Sequence, residues 1–186
     1  GVSYCAICDG AFFKGQVIAV VGGGDAAVEE ATFLTKFGSK VYLIHRRDSF
    51  RAQKIIQQRA FDNPKIEVIW DTVVESINGD DKKVASLSLK NLKSGEKRTL
   101  PVGAIFVFVG FRPNSDICRE ALRKDQGGYI VTSDRMETSI KGVFACGDVR
   151  SQLVRQITNA VGDGTTAAVA AEKYIEALED KHASRG

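Results

Sequence analysis

The chain has 186 residues, 26 basic against 23 acidic for a net charge of +3, and is 44% hydrophobic. These numbers suit a globular protein with a sizeable buried core, long enough for one full domain and part of another. They exclude other classes: no basic run exceeds two residues, which argues against nucleic acid, no apolar stretch is long enough to span a bilayer, and four cysteines are too few for a disulfide scaffold.

Taken in chain order, a Cys5-x-x-Cys8 pair comes first. Residues 16–21 (Gln-Val-Ile-Ala-Val-Val) predict a buried parallel strand. Gly22-Gly23-Gly24 follows at once. A helix is expected over residues 25–37, with Ala27, Val28, Ala31 and Leu34 at helical spacing and Gly38 as its stop. Residues 41–45 are the next strand, which completes a β-α-β unit. A second helix is expected over 51–61, then strands over 66–70 and 72–77, with Asn78-Gly79 as a hairpin turn. Alternation at Ala85, Leu87 and Leu89, a turn at Ser94-Gly95 and an apolar run over 104–109 complete a meander. Arg112-Pro113-Asn114 reads as a hinge. Beyond it the pattern predicts a short helical stretch, a hairpin at Gly127-Gly128, a buried strand over 143–145 and a last helix over 165–178 with a frayed tail.

Gly22-Gly23-Gly24-Asp25-Ala26-Ala27 fits G-x-G-x-x-A between strand and helix. The first glycine permits the tight turn, the second lets the backbone approach a pyrophosphate, and the small third residue lets helix and strand pack closely. Phosphates then sit at the helix N-terminus, where unpaired N–H groups and the dipole favour anions. A glycine-rich turn with no ligand is the plain alternative. The second strand weighs against it. An NAD site places a carboxylate at that strand's end for the ribose 2′-hydroxyl; here the end reads His45-Arg46-Arg47-Asp48-Ser49-Phe50-Arg51. Guanidinium forks there suit a 2′-phosphate, hence NADPH rather than NADH, against the blander reading of a solvated basic edge.

Cys5-Ala6-Ile7-Cys8-Asp9-Gly10 has three readings: half of a zinc site, an inert pair, or a reversible disulfide. Zinc needs two further ligands, and Cys118, Cys146, His45 and His182 are not paired at such spacing, so no metal is expected. The short spacing favours redox chemistry over an inert pair. Asp9 is a candidate acid/base for the proton of a dithiol cycle, or else part of an Asp-Gly turn.

Together these residues resemble the low-molecular-weight NADPH-dependent thioredoxin reductases, among the pyridine nucleotide-disulfide oxidoreductases. The likeness rests on Cys-Ala-Ile-Cys-Asp-Gly, the Gly-Gly-Gly-Asp loop, Glu29-Glu30 and His-Arg-Arg-Asp-Ser-Phe-Arg-Ala. It continues through Gly-Val-Phe-Ala-Cys-Gly147-Asp148-Val149, Arg155-Gln156 and Gly162-Asp163-Gly164. The resemblance implies an α/β fold: a Rossmann-like NADPH-binding domain (βαβ plus β-meander) carrying the dithiol over residues 1–112, then the C-terminal part of a FAD-binding domain over 113–186. It implies that Cys8 faces the flavin, Cys5 attacks thioredoxin and Asp9 moves the proton. NADPH would be bound by Gly22, Gly24, Asp25, Ala26 and Glu29 along its backbone and by His45, Arg46, Arg47 and Arg51 at its adenosine end. FAD would meet Gly147 and Asp148 along the ribityl chain, and Arg155, Gln156 and Ile157 near the isoalloxazine. A homodimeric cytoplasmic enzyme is implied, an organelle such as a plastid or mitochondrion being open. Related reductases that feed peroxidases favour NADH and lack the arginine pair, so Arg46 and Arg47 argue against that role. The family's first FAD-binding unit precedes its cysteines, and this sequence opens just before them; FAD retention by these residues alone is expected to be weak. Cys146 stands where the family usually has alanine and is expected to be a small buried hydrophobe.

Overall fold

Short β-branched runs separated by helices generate the first of two units, Gly1–Gly110 and Phe111–Gly186. The structure is a computed structural model that describes residues 1–118 and 121–184. In chain order the first unit runs β1 (Val2–Ser3), α1 (Ala6–Asp9), a 3₁₀ turn (Gly10–Phe13), β2 (Val17–Gly22), α2 (Asp25–Leu34), β3 (Lys40–Ile44), α3 (Lys54–Phe61), β4 (Ile66–Ile69), β5 (Thr72–Gly79), β6 (Val84–Asn91), β7 (Lys97–Pro101) and β8 (Ala104–Phe108). Strands β1, β8, β2, β3 and β4 lie in that order in one parallel sheet; β5, β6 and β7 form an antiparallel sheet.

The period-2 alternation of strands sorts the side chains into two cores. Ile18, Val20, Val41, Leu43, Ala104 and Phe106 pack with Ala27, Val28, Ala31 and Leu34 of α2 and with Ile56 and Ala60 of α3. Their neighbours Ala19, Ile44 and Ile105 pack instead with Leu87, Leu89 and Leu100 of the meander. Both faces of the parallel sheet are therefore covered, which is why its strands are apolar throughout. Each fully buried Val, Leu, Ile or Phe contributes about 1.5–3 kcal/mol.

Several boundaries differ from the sequence reading. α2 stops at Leu34 because residues 35–37 tighten into turns, with Thr35 N–H donating to Thr32 O and Lys36 N–H to Phe33 O. α3 starts at Lys54 rather than 51, because the N–H groups of Arg51 and Ala52 are drawn to Gly23 O and that of Gln53 to the Asp25 carboxylate. Asn78-Gly79 is not the hairpin turn. β5 runs through Gly79, and the turn falls at residues 80–83, where the Asp80 carboxylate accepts from the N–H groups of Lys82 and Lys83. Gly79 sits at a register shift, and a side chain there would collide with Lys83 O. That glycine marks close backbone approach at a bulge, which looks like a turn signal in sequence.

The second unit is sparer. The hairpin at Gly127-Gly128 is present, with Asp125 N–H donating to Tyr129 O and Gly128 at φ +84°. A 3₁₀ turn spans Asp116–Cys118, and Leu122, Ile130 and Ala145 form a small core. Residues 143–145 do not make the buried strand expected of them. They pair with residues 136–138, in an antiparallel bridge at Phe144–Glu137 flanked by Ala145 N–H donating to Met136 O and Thr138 N–H to Val143 O, and Val143 is exposed. The last helix, α4 (Ile157–Ala183), begins eight residues earlier than expected and absorbs the charged tail. Its two early glycines are tolerated inside the helix because a nucleating turn precedes them, with Ala160 N–H donating to Gln156 O. Glu and Lys are good helix formers, so the tail continues the helix.

Phe106 is the largest fully buried side chain and meets Phe13 edge to face, centroids 5.8 Å apart. Phe106→Ala should cost about 3–5 kcal/mol, and Phe106→Leu much less. Urea unfolding followed by the fluorescence of Trp70, the single tryptophan, measures both; equal losses for the two variants would contradict this packing.

Candidate functional site

The cleft expected to take a nucleotide is built where β2 ends. The chain leaves β2 toward β3 on one side while β8 lies on the other, so a crevice opens beyond the strands' C-terminal ends. It is a cavity of about 790 Å³, within the first unit, bounded by the Gly22–Ala27 turn, His45, Arg46 and Arg51, the end of β8 and one edge of β5. Gly22, Gly24, Asp25, Ala26, His45, Arg46 and Arg51 of the expected nucleotide set line it; Glu29 and Arg47 do not.

The glycines do different work. A side chain on Gly23 would collide with the His45 ring. At Gly24 the backbone is extended (φ −91°, ψ 179°) and a side chain would meet nothing within 4 Å. No protein atom demands glycine at 24. A ligand approaching the backbone would, and Gly24 is the N-cap of α2 with no side chain capping it. The first N–H groups of that helix are thus left to an anion. These residues fit a dinucleotide pyrophosphate.

Asp25 is spent within the protein. Its carboxylate accepts from Gln53 N–H at 2.7 Å and Gln53 Nε2 at 3.1 Å, so it caps α3 from the start of α2. Among the described residues, Arg46, Arg47 and Arg51 make no ion pair, and all three are exposed. Unmatched guanidiniums at one strand end suit a phosphate dianion.

His45 is buried under the loop, and its Nε2 makes no hydrogen bond of good geometry. Burial holds its pKa below the ordinary histidine value; the carbonyls of Gly22 and Ser49 oppose that shift, and the charges of Arg47 and Arg46 add to it.

The dithiol lies in the same unit. Cys5 and Cys8 are joined as a disulfide with Cα atoms 5.3 Å apart. Cys5 is half-buried and Cys8 exposed, beside exposed Tyr4, Ile7 and Phe12. Cys5 is the N-cap of α1, and its Sγ accepts the Cys8 N–H at 3.2 Å. Asp9 follows in the same turn, its N–H donating to Cys5 O, and its Oδ2 accepts the hydroxyl of Ser3 at 2.7 Å. Ser3 is buried and also receives Cys5 N–H. Sequence reading missed Ser3, because a bond spanning six residues through a turn leaves no periodic signal.

The second unit brings Asp148 and Arg155 together around a cavity of about 250 Å³ that Tyr129 and Phe111 also line. Arg155 lies 3.9 Å from the Tyr129 ring centroid, and its buried Nε is without a partner. Gln156 is the N-cap of α4 and Ile157 its exposed first residue; neither lines the cavity. Gly147 (φ +74°) is fixed by a network the sequence reading did not anticipate: Asp163 Oδ2 accepts Gly147 N–H at 3.1 Å and pairs with Arg150 at 3.0 Å, while Gln152 Nε2 donates to Gly147 O. Asp163 was visible between two glycines, but its partners were not. Cys146 is exposed, correcting the expectation of burial: it is the extended N-cap of the 3₁₀ turn Gly147–Val149, and extended backbone turns its side chain opposite to that of buried Ala145. Ligand pockets run to about 300–1,000 Å³. The cavity beside Asp148 and Arg155 falls below that range.

The shift on His45 has a sign that can be checked. The folded chain binds fewer protons at His45 than the unfolded one, so this residue's contribution to stability falls as pH drops below about 6.5 toward the lower folded pKa. The unfolding free energy of the unmutated chain should decline relative to that of His45→Gln between about pH 7.5 and pH 5. Parallel pH profiles from denaturant titrations would refute it.

The family model for pyridine nucleotide-disulphide oxidoreductases matches residues 1–164. Thioredoxin reductase of Listeria innocua is 49% identical over 180 residues, 97% of this chain and 56% of that protein. Thioredoxin reductase of Bacillus subtilis is 47% identical, over 97% and 57%. The crystal structure of thioredoxin reductase from Streptococcus pyogenes superposes with a TM-score of 0.91 at 51% identity, over 95% of this chain and 58% of that one. The chain thus spans little more than half the length of the relatives it matches. It belongs to the pyridine nucleotide-disulphide oxidoreductase family.

Proposed function

We propose that the chain carries the NADPH-binding and dithiol part of a thioredoxin-disulfide reductase, with electrons passing from NADPH through FAD to Cys5–Cys8 and on to thioredoxin. The observation that carries this reading is the pairing, within Gly1–Gly110, of a surface disulfide with an anion-ready nucleotide cleft. When bound, nicotinamide supplies a hydride and flavin relays its two electrons to the disulfide.

The chain's own residues bind, orient and move protons. Backbone N–H groups at Gly24, Asp25 and Ala26 hold the pyrophosphate. Ala26 brings no hydroxyl to it, so the backbone carries that contact alone. Arg46 and Arg51 take the 2′-phosphate, with Arg47 adding charge from outside the cleft; Glu29, one turn along α2 from Asp25, lies beside the nucleotide's backbone without lining the cavity. Reduction breaks the Cys5–Cys8 bond, and the Cys8 N–H steadies the Cys5 thiolate. Cys5 attacks the partner disulfide, forming a mixed disulfide as the partner's S–S bond breaks and its first sulfur leaves as a thiolate; Cys8 then attacks Cys5 Sγ, re-forming the internal disulfide and releasing the partner's second sulfur. Asp9, held by Ser3, delivers the proton to that leaving thiolate. Asp148 and Arg155 meet the flavin, with Gln156 and Ile157 at the helix start beside them, and the complete enzyme works as a cytoplasmic homodimer.

A second reading, an NADPH-binding module without turnover, is favoured by the small flavin-side cavity of about 250 Å³. An absorbance spectrum of the purified chain separates the two: a flavin band near-stoichiometric with protein supports the enzyme, and its absence the module.

NADPH should bind at least about 10-fold more tightly than NADH, or about 1.4 kcal/mol. Replacing both Arg46 and Arg47 by alanine should erase most of that gap, and equal dissociation constants in the unmutated chain would sink the idea. Thiol titration before and after mild reduction should differ by the pair Cys5 and Cys8, with Cys118 and Cys146 unchanged. Cys8→Ser should abolish the difference; a difference that survives it would place the redox pair elsewhere.

A further inference from the structure

The arginine-rich segment carries an acid of its own. Asp48 follows Arg47 directly, four residues past the end of β3, in the loop after the position where an acidic residue would receive a ribose 2′-hydroxyl. Left to itself, its carboxylate would pair with a neighbouring guanidinium or stand against an incoming phosphate. It does neither. Its Oδ2 is 3.0 Å from Lys93 Nζ, and the same ammonium is 3.0 Å from Asp71 Oδ2.

Lys93 is placed to do this. It sits in the turn between β6 and β7, where the Asn91 side chain accepts the N–H groups of Lys93 and Ser94, and Gly95 N–H donates to Asn91 O. That turn is tied to the arginine segment by backbone bonds through residues 71 and 72. Asp71 N–H donates to Arg47 O, Leu92 N–H to Asp71 O, and Thr72 N–H to His45 O. Asp71 adopts φ +53°, a conformation Asp tolerates better than most residues, and is largely buried where Lys93 meets it. The lysine is thus anchored on Asp71 and reaches from the meander to Asp48. The pairing raises the pKa of Lys93 and lowers that of Asp48.

We propose that Lys93 is a specificity-determining positioning residue: by holding the Asp48 carboxylate away from Arg46, Arg47 and Arg51, it keeps that strand end cationic for a 2′-phosphorylated nucleotide. This rests on the reading of those arginines as the 2′-phosphate site. Lys93 does not line the cleft. Without it, Asp48 is released to neutralise a guanidinium or to accept a 2′-hydroxyl, and both outcomes shift preference from NADPH toward NADH.

The test uses the full chain, with dissociation constants for NADPH and NADH measured by calorimetry at low salt, where exposed charges act most strongly. Lys93→Met should weaken NADPH binding about three- to tenfold and leave NADH unchanged or tighter. Adding Asp48→Asn should restore NADPH binding, and Lys93→Arg should keep the original ratio. Three outcomes overturn the inference: an unchanged ratio in Lys93→Met, equal weakening of both nucleotides, as a merely structural role would give, or no rescue by Asp48→Asn. No preference for NADPH in the unmutated chain overturns the arginine reading and this inference together; a preference that Lys93→Met leaves intact overturns this inference alone. Asp48→Asn by itself, which keeps Lys93, should tighten NADPH slightly or not at all, and this arm stands even if Lys93→Met folds poorly; a loss of NADPH affinity in it would count against the proposal.

Discussion

The nucleotide end of the first unit hangs on one close approach, that of the Gly23 backbone to the His45 imidazole. A side chain at 23 would push the ring out of its buried place, and with it the end of β3. The Gly23 carbonyl, on the same peptide group, accepts the N–H groups of Arg51 and Ala52. One residue therefore fastens the turn after β2, the end of β3 and the lead into α3. The Asp25 bond to Gln53 adds a second fastening two residues on. The cleft's geometry is set by these contacts before any ligand arrives, which reduces the ordering that binding would have to supply.

This also explains what could be read in advance. The strands were legible because the parallel sheet is covered on both faces, so every position from Val17 to Val21 had to be apolar or small. The glycine turn was legible because tight turn, backbone approach and helix packing each restrict a particular position. The start of α3 was not, since it is decided by Gly23 and Asp25, some thirty residues earlier in sequence. Asn78-Gly79 misled for a related reason: a bulge and a turn both need glycine, and only the partner strand says which is present. Residues 143–145 are apolar like a core strand, yet they pair only briefly with residues 136–138 and leave Val143 exposed, which composition does not reveal.

At the Cys5–Asp9 turn and the Gly147 turn the residues that stood out in sequence are held by residues that did not. Asp9 is oriented by Ser3, and Gly147 by Asp163, Arg150 and Gln152. The Arg150–Asp163 pair is nearly buried, so removing either partner leaves an uncompensated charge, a cost of about 3–5 kcal/mol. Local sequence patterns identify groups that stand alone in a turn. They do not identify the polar groups packed beneath, whose identity follows from burial and geometry.

Two acids in the motifs around the cleft follow the same logic, while a third, Glu75, lines the cleft and is paired with Lys97. An anion site built on a helix N-terminus and guanidiniums is weakened by any carboxylate with a free lone pair aimed into it. Asp25 and Asp48 both lie within the motifs that define the site, yet neither is left facing it without a partner. Asp25 accepts two hydrogen bonds from Gln53 and stabilises the N-terminus of α3, and Asp48 is drawn to Lys93. The positive character of the cleft therefore comes as much from where its carboxylates are fastened as from how many arginines it has. The fastening groups come from α3 and from the meander, the two elements that close the βαβ core on its opposite faces. An isolated βαβ unit with the same glycines and arginines would lack the meander's lysine, and its Asp48 would be free to move. On that reasoning the meander is part of the anion site as well as the cover of the parallel sheet.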